Sequence, residues 1–448
     1  MSSPPSSRHY LSVRAKFVFC FCSAVIWAGL STWLARGWYE DLHALVGAGL
    51  ATFVIAFIAI IPGYMNAFLA TGLLLDRRPL SGDTFDWPAL TVLIPAFEEA
   101  ESITQTLESL ERQDYPAALR VIVIDDGSKD STARVVESWC ADRRADPIAR
   151  VAFELLRLPN NVGKAGALNA GLALTRTDWL VSVDADCWLR QNALRRLIAR
   201  VLSDPPGTVA VAGAVMIRNS RENWVTRAQE WDYFLGIGAV KRVQSLFQGV
   251  LVAQGAFSAY ERRALQSVGG WPDTVGEDIV MSWRLLAAGG RIGHAEDAFS
   301  FTRGPASFRQ FVRQRRRWSR GMIEAFKESP RILRVPRLSL MFVIWNGLFP
   351  LMDLAYTCAF LPGLIAAAFG YFWIAGPLTL AVLPPGLMVN YIMYRSAHRS
   401  FDAMGLEVRA NAFGFALYGL LYGLMLQPAC LWGYVSELFR LPKNWGTK

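Results

Sequence analysis

The chain has 448 residues, 53% of them hydrophobic, and a formal net charge of +9. That length exceeds one ordinary core, and so apolar a composition argues against a wholly soluble protein and for membrane spans. The basic residues cluster beside the apolar runs, the positive-inside pattern, and no aromatic–basic module accompanies them, so nucleic acid is set aside as a partner.

Residues 1–16 read as a disordered, Ser/Pro-rich cytoplasmic lead carrying Arg8, Arg14 and Lys16. Phe17 to Ala35 is apolar over a bilayer-spanning length, and Leu45 to Leu75 is a second run in which Pro62 and Gly63 permit a kink. Residues 17–75 are therefore expected to form two transmembrane helices. The first run exceeds a signal peptide's apolar core and lacks a small-x-small cleavage site, so it is expected to be retained. Arg77 and Arg78 then open a linker rich in Asp, Gly and Pro, residues 76–89.

From residue 90 to 305 the character changes. Leu90–Ile94, Val121–Ile124, Val151–Leu155 and Trp179–Val183 are short apolar runs bounded by polar or turn residues. Helical patterns lie between them, at about 99–113, 130–140 and 164–174. Strands alternating with helices predict an α/β domain with a mostly parallel sheet and helices on both faces.

Val121–Asp125 and Asp126 place two carboxylates at the carboxyl end of a buried strand, where an open parallel sheet binds ligands. Turn-making and helix capping remain alternatives for that pair. Asn161 to Asn169 is a Gly-rich loop running into a helix, with Lys164 between Gly163 and Gly166. Amide groups at a helix start attract phosphate and the lysine adds charge, although the spacing is not that of a Walker A loop. Asp184 and Asp186 flank a small residue just after a hydrophobic strand. Hard oxygen ligands there suit Mg²⁺ or Mn²⁺, shared between protein and diphosphate.

Trp224, Ala228, Trp231 and Leu235 have helical spacing and read as packing only. Glu277 and Asp278 open a helical pattern, either as capping acids or with one as a general base. Residues 306–336 contain Gln314, Arg317 and Trp318. Phe308, Phe311, Val312, Trp318, Met322 and Phe326 predict a helix with one apolar and one Arg-rich face, fit to lie in a membrane interface. Residues 337–440 hold about three further spans, at 341–365, 368–394 and 412–436. The loop 395–411, with Arg395, Arg399 and Arg409, is placed in the cytoplasm with the 90–330 region. Three spans put the tail, 441–448, outside, yet Arg440, Lys443 and Lys448 make it basic; a re-entrant last run or a miscounted span are the alternatives. The six cysteines form no CxxC pair and no Cys/His metal spacing, and read as reduced thiols.

Taken together, these motifs resemble the processive family 2 inverting glycosyltransferases, which include cellulose, chitin, hyaluronan and poly-N-acetylglucosamine synthases. The resemblance runs from about Thr91 to Met322. It implies a glycosyltransferase A-type fold inserted between membrane helices, a UDP-sugar donor, a polysaccharide acceptor, a divalent metal, contact with membrane lipids and possible export subunits. By position, Pro95 to Glu99 and Asp126 look like the uridine-contacting edge, and Lys164 like the nucleotide-contacting lysine. Asp184 and Asp186 match the metal-binding pair, with Asp186 ahead as direct ligand. Asp278 matches the base of a Thr-Glu-Asp motif, with Glu277 supporting it and Gly276 standing where Thr is usual. Gln314, Arg317 and Trp318 match the signature that holds diphosphate and acceptor, and Gln254, Gly255 and Ser258 resemble the loop lining the acceptor site. The stretches 237–244, 268–271 and 277–283 look most like the poly-N-acetylglucosamine synthases. The implied setting is the inner membrane with the catalytic domain in the cytoplasm. A non-processive transferase acting on a lipid carrier, or a transporter with an inert middle domain, are the rival readings.

Overall fold

The computed structural model describes residues 11–77, 85–144, 150–376, 386–388, 390–392, 394–395 and 411–442. Residues 377–385, 389 and 393 of the expected span at 368–394 fall outside the described residues, as do Arg399, Arg409, Lys443 and Lys448. The chain divides into two compact units: Met1–Arg78 with Cys358–Ser396, and Pro79–Thr357 with Ala397–Lys448.

The second unit holds the sheet. Its strands are β1 (Leu90–Ala96), β2 (Leu119–Asp125), β3 (Val151–Arg157), β4 (Trp179–Val183), β5 (Trp188–Leu189), β6 (Thr208–Ile217), β7 (Phe257–Glu261) and β8 (Arg291–Thr302). Their order is β3-β2-β1-β4-β7-β6-β8-β5. β1, β2 and β4 are apolar along nearly their whole length because they are covered on both faces. The helices Ile103–Glu111, Thr132–Arg144 and Gly163–Leu174 are the three that the periodicity places between the early strands.

The sheet is mixed, more so than the sequence predicts. β1 pairs in parallel with β2 and β4, and β2 with β3. β7 runs antiparallel between β4 and β6, and β8 lies parallel to β6. Following those directions, β4, β6 and β8 all end at the same edge. β7 begins there, so residues preceding it join the loops that follow β1, β2 and β4. One edge thereby gathers segments from across the domain.

In the first unit, Gly63 lies against Trp27, where a Cβ would come within 2.9 Å of the indole nitrogen. The kink permitted at Pro62 takes the form of a π-helical turn, Ala56–Ile60, inside a continuous helix. Among the described residues, Val13–Leu34, Ala48–Leu75 and Leu340–Ala368 are long and apolar enough to cross a membrane.

The last apolar run behaves differently. It is two helices, Ala412–Leu420 and Tyr422–Leu438, bent by 51°. At its start, Asn411 donates to the Arg227 carbonyl and to Glu230, and its own carbonyl accepts from Trp231 Nε1. At its end, Glu437 is paired at 2.8 Å with both Arg320 and Lys327. Both ends are thus tied to the unit that carries the sheet, and a pair bent in this way is either a broken span or a re-entrant run. In sealed vesicles of a variant lacking the native cysteines, Arg440→Cys and Arg150→Cys are expected to react with an impermeant thiol reagent from the same side. Labelling from opposite sides would make the bent pair a full span.

Candidate active site

The glycine-rich loop owes its shape to Asp126. Its carboxylate accepts from the Val162 N–H at 2.7 Å and the Gly163 N–H at 2.9 Å, which fixes the start of the Gly163–Leu174 helix. Burial pushes the Asp126 carboxyl up, and those two amide bonds pull it back. This corrects the phosphate reading of that helix start, because the two amides already hold a carboxylate from within the chain. On β1, Pro95 is paired in register with Ile124. Just beyond it Glu98 takes a positive φ of 56°, and the Glu99 N–H donates to Thr132 Oγ1 at 2.9 Å.

From the second position of the same helix, Lys164 reaches across the edge. Its Nζ lies 2.5 Å from Asp184 Oδ1 and 3.4 Å from Glu277 Oε1. Burial works against that ammonium, yet the two carboxylates outweigh it and hold its pKa above the usual lysine value. Gly255 makes the reach possible: a Cβ there would sit 2.8 Å from Lys164 Nζ. The Gly255 carbonyl accepts from Ser182 Oγ at 3.0 Å, which ties that loop to β4.

Asp186 lies deeper. Its Oδ2 accepts from Thr302 Oγ1 at 3.2 Å, at the end of β8. Burial, then the charges of Asp184 and Glu99, push its carboxyl up to about 6. Mutually repelling acids of this kind fit a cation. The described residues contain no ready cluster of three acidic, His or Cys groups. An ion held by Asp186 and Asp184 would therefore have to complete its shell from substrate and water.

Glu277 and Asp278 are adjacent but differ. Glu277 is 6% exposed, paired with Lys164, and pushed up by burial to about 7. Asp278 is only partly buried, and its Oδ1 accepts from the Ile279 N–H at 2.8 Å. Beside them, the departure at Gly276 has a physical cause. A Cβ on Gly276 would fall 2.6 Å from Gly321 Cα, in the helix Phe308–Glu328. The two glycines bring the Gln314–Trp318 segment against the acid pair, and the charge of Arg317 reaches Glu277.

That helix buries Phe311 and Met322 of its predicted apolar face, and polar residues as well. Gln314, Arg315, Ser319, Arg320 and Glu324 are buried on it, while Phe308 is 49% exposed and Trp318 38%. Gln314 and Gln254 each bury an Oε1 with no hydrogen-bond donor among the described residues. Gln254 is anchored through its Nε2, which donates to the Gly213 carbonyl at 2.6 Å. The acceptor-loop expectation for Ser258 is corrected. It is fully buried in β7 and donates to the Gln254 carbonyl at 2.7 Å, so it shapes the loop from beneath.

Three residues at this edge escape the sequence reading. Thr302 has no motif around it. Arg315 looks like one more member of an arginine run. Lys241 is buried beside the acids, and that burial pulls its pKa down to about 7 against the raising charge of Asp278. With Arg242 beside it and Gln244 and Ser245 following, nothing local singled it out.

The comparisons with known proteins follow the geometry. Residues 91–269 match the family model described as Glycosyl transferase family 2. An N-acetylglucosaminyltransferase of Rhizobium sp. (strain N33) is 29% identical over 282 residues, 59% of this chain and 60% of that one. A poly-beta-1,6-N-acetyl-D-glucosamine synthase of Staphylococcus aureus (strain COL) is 31% identical over 274 residues, 60% of this chain and 63% of that one. The chain thus spans about three-fifths of the length of these relatives. A mannosyltransferase from Pyrobaculum calidifontis, solved with GDP-Man and Mn²⁺, shares the fold, with a TM-score of 0.57 at 19% identity over 90% of this chain and all of that one. The glycosyltransferase A-type architecture expected from the resemblance is therefore present, with its sheet mixed.

Gly276→Thr restores the residue usual in the resembled motif, yet should lower turnover at least tenfold by driving apart the two backbones that meet at Gly276 and Gly321. Overpacking of this kind costs about 1–3 kcal/mol. A matching drop in thermal midpoint is expected; wild-type turnover and midpoint together would show that the helix shifts without consequence.

Proposed function

We propose that this chain, whose residues 91–269 form a glycosyltransferase family 2 domain, transfers a sugar from a UDP-sugar to a growing β-linked polysaccharide with inversion at the anomeric carbon. N-acetylglucosamine is the sugar we assign, in line with the names of the curated relatives. The product is polymeric, and its passage through the membrane is coupled to synthesis. The donor is taken from the cytoplasm.

One observation carries the reading: Lys164, Asp184, Glu277, Asp278 and the Gln314–Trp318 segment converge on one sheet edge although they come from four separate stretches of chain. An acceptor hydroxyl attacks the anomeric carbon as the bond to the nucleotide diphosphate breaks. Asp278 takes the hydroxyl proton; it lacks the Lys164 contact that occupies Glu277. Glu277 and Asp184 hold Lys164 in place, and Lys164 and Arg317 face the departing charge. Asp186 and Asp184 are the residues that would hold Mg²⁺ or Mn²⁺, which when bound offsets charge on the leaving diphosphate. Gln254 and Gln314 are assigned to the acceptor side of the site, as the resemblance implies. Trp318 offers a ring on which a sugar can stack.

Asp278→Asn should stop transfer while retaining donor binding, since the base acts in the transition state. The expected loss is about 10²–10⁴-fold, read as UDP release against donor titration. Polymer made at an appreciable rate would shift the role to Glu277.

Asp186→Asn should abolish turnover with expression and membrane insertion intact, because it removes a ligand charge from a partly exposed edge. Full activity in that variant, or undiminished activity in excess EDTA, would remove the metal from the scheme.

A further inference from the structure

We propose that Arg315 is a positioning residue that sets the plane of the Trp318 ring, and that Asp232 holds Arg315 in place to do so. The inference rests on the reading of Trp318 as an acceptor platform.

Arg315 is 4% exposed, and its guanidinium carbon stands 4.1 Å over the Trp318 ring. The two are three residues apart on one helix and share a face. The far side of the guanidinium is fixed by charge: Nη2 lies 2.8 Å from Asp232 Oδ2. The rings of Phe311 and Tyr422 close the surroundings, 5.1 and 5.9 Å from the same carbon. Asp232 opens the π-helical segment Asp232–Ala239, where a Cβ on Gly236 would come within 2.7 Å of Asp232 Oδ1 and 3.2 Å of the Tyr418 hydroxyl. Asp232 therefore has little room to move.

A buried ion pair is a poor way to gain stability, since well-packed apolar residues serve as well or better. What this pair provides is orientation. A planar guanidinium stacks flat on an indole, which a lysine ammonium cannot do. With one ring face covered, Trp318 remains 38% exposed. A ring held before the acceptor arrives does not have to be ordered on binding. Neither Arg315 nor Asp232 belongs to the signature residues Gln314, Arg317 and Trp318.

The test compares Arg315→Lys, the double variant Arg315→Met with Asp232→Leu, and Trp318→Ala, each in the full chain in detergent or vesicles. Three readouts are taken: thermal midpoint, UDP release without acceptor, and product length on a gel. Arg315→Lys keeps the charge and loses the stack. The double variant removes both charges, and with them the hydrogen bond between Asp232 and the Tyr422 hydroxyl. For both, the ratio of elongation to donor hydrolysis should fall about tenfold, the scale of a desolvated cation–π contact, with midpoints near wild type. Wild-type product length in either variant, while Trp318→Ala loses elongation, overturns the inference. If Trp318→Ala itself elongates normally, the acceptor reading of the ring falls first. Should the double variant fail to fold, Arg315→Lys alone decides.

Discussion

The ammonium of Lys164 holds together three elements that otherwise share no contact of comparable strength: the glycine-rich helix start, the end of β4, and the start of the Glu277 helix. Charges taken out of water cost several kcal/mol each unless paired and hydrogen-bonded. Moving any one of these elements would leave a buried charge exposed to that cost. The surrounding details follow from it. Asp126 fixes the helix start from which Lys164 projects, and Gly255 leaves the space its Nζ occupies. Since Glu277 is committed to Lys164, the proposed base role falls to the adjacent Asp278.

The same bookkeeping bears on the metal. Asp184, Glu277, Asp278 and Asp186 outnumber the cations beside them, Lys164, Lys241 and Arg317, and the rise of Asp186 to about 6 reflects burial and that crowding. A nucleotide diphosphate is itself an anion. It would be repelled from such an edge unless a cation came with it, and under the proposed function Asp186 and Asp184 would hold a divalent ion that offsets that charge. Lys164 and Arg317 alone do not balance the charges. The charge distribution thus argues for the metal independently of the Asp-x-Asp spacing.

Much of this was legible in the sequence wherever the signal is local. β1 to β4 announce themselves as apolar runs between turns, and the Asp-x-Asp pair follows directly on one of them. The later half was not legible in the same way. β8 carries Arg, Gly, His, Glu and Asp among its apolar residues; Glu296 pairs with Arg242 and Asp297 with Arg196, both on helices, and the His294 ring meets the Ala212 carbonyl. The Phe308–Glu328 helix misled for a related reason. Periodicity assigns arginine to solvent, but Arg315 and Arg320 find Asp232 and Glu437 in distant parts of the chain. Asp126 and Ser258 show the converse. Residue type alone allows a ligand contact, and only the fold reveals that their oxygens are already engaged with the backbone.

The contact of Gly276 with Gly321 gives the Phe308–Glu328 helix its particular importance. With no side chain on either glycine, the helix lies directly on the backbone that carries Glu277 and Asp278. Its other sides are occupied by the bent C-terminal pair: Tyr422 beside Phe311, Gly433 against Ser319, and Glu437 between Arg320 and Lys327. One helix therefore forms a wall of the catalytic edge and a seat for an apolar run. Packed interfaces of this kind shift between discrete arrangements rather than deforming smoothly. A displacement of the apolar pair would reach the acid pair through Gly321, and reach Trp318 through Arg315 and its tyrosine neighbours. Under the proposed polymer-forming activity that is the connection required, since each added sugar must leave the catalytic edge before the next can be joined.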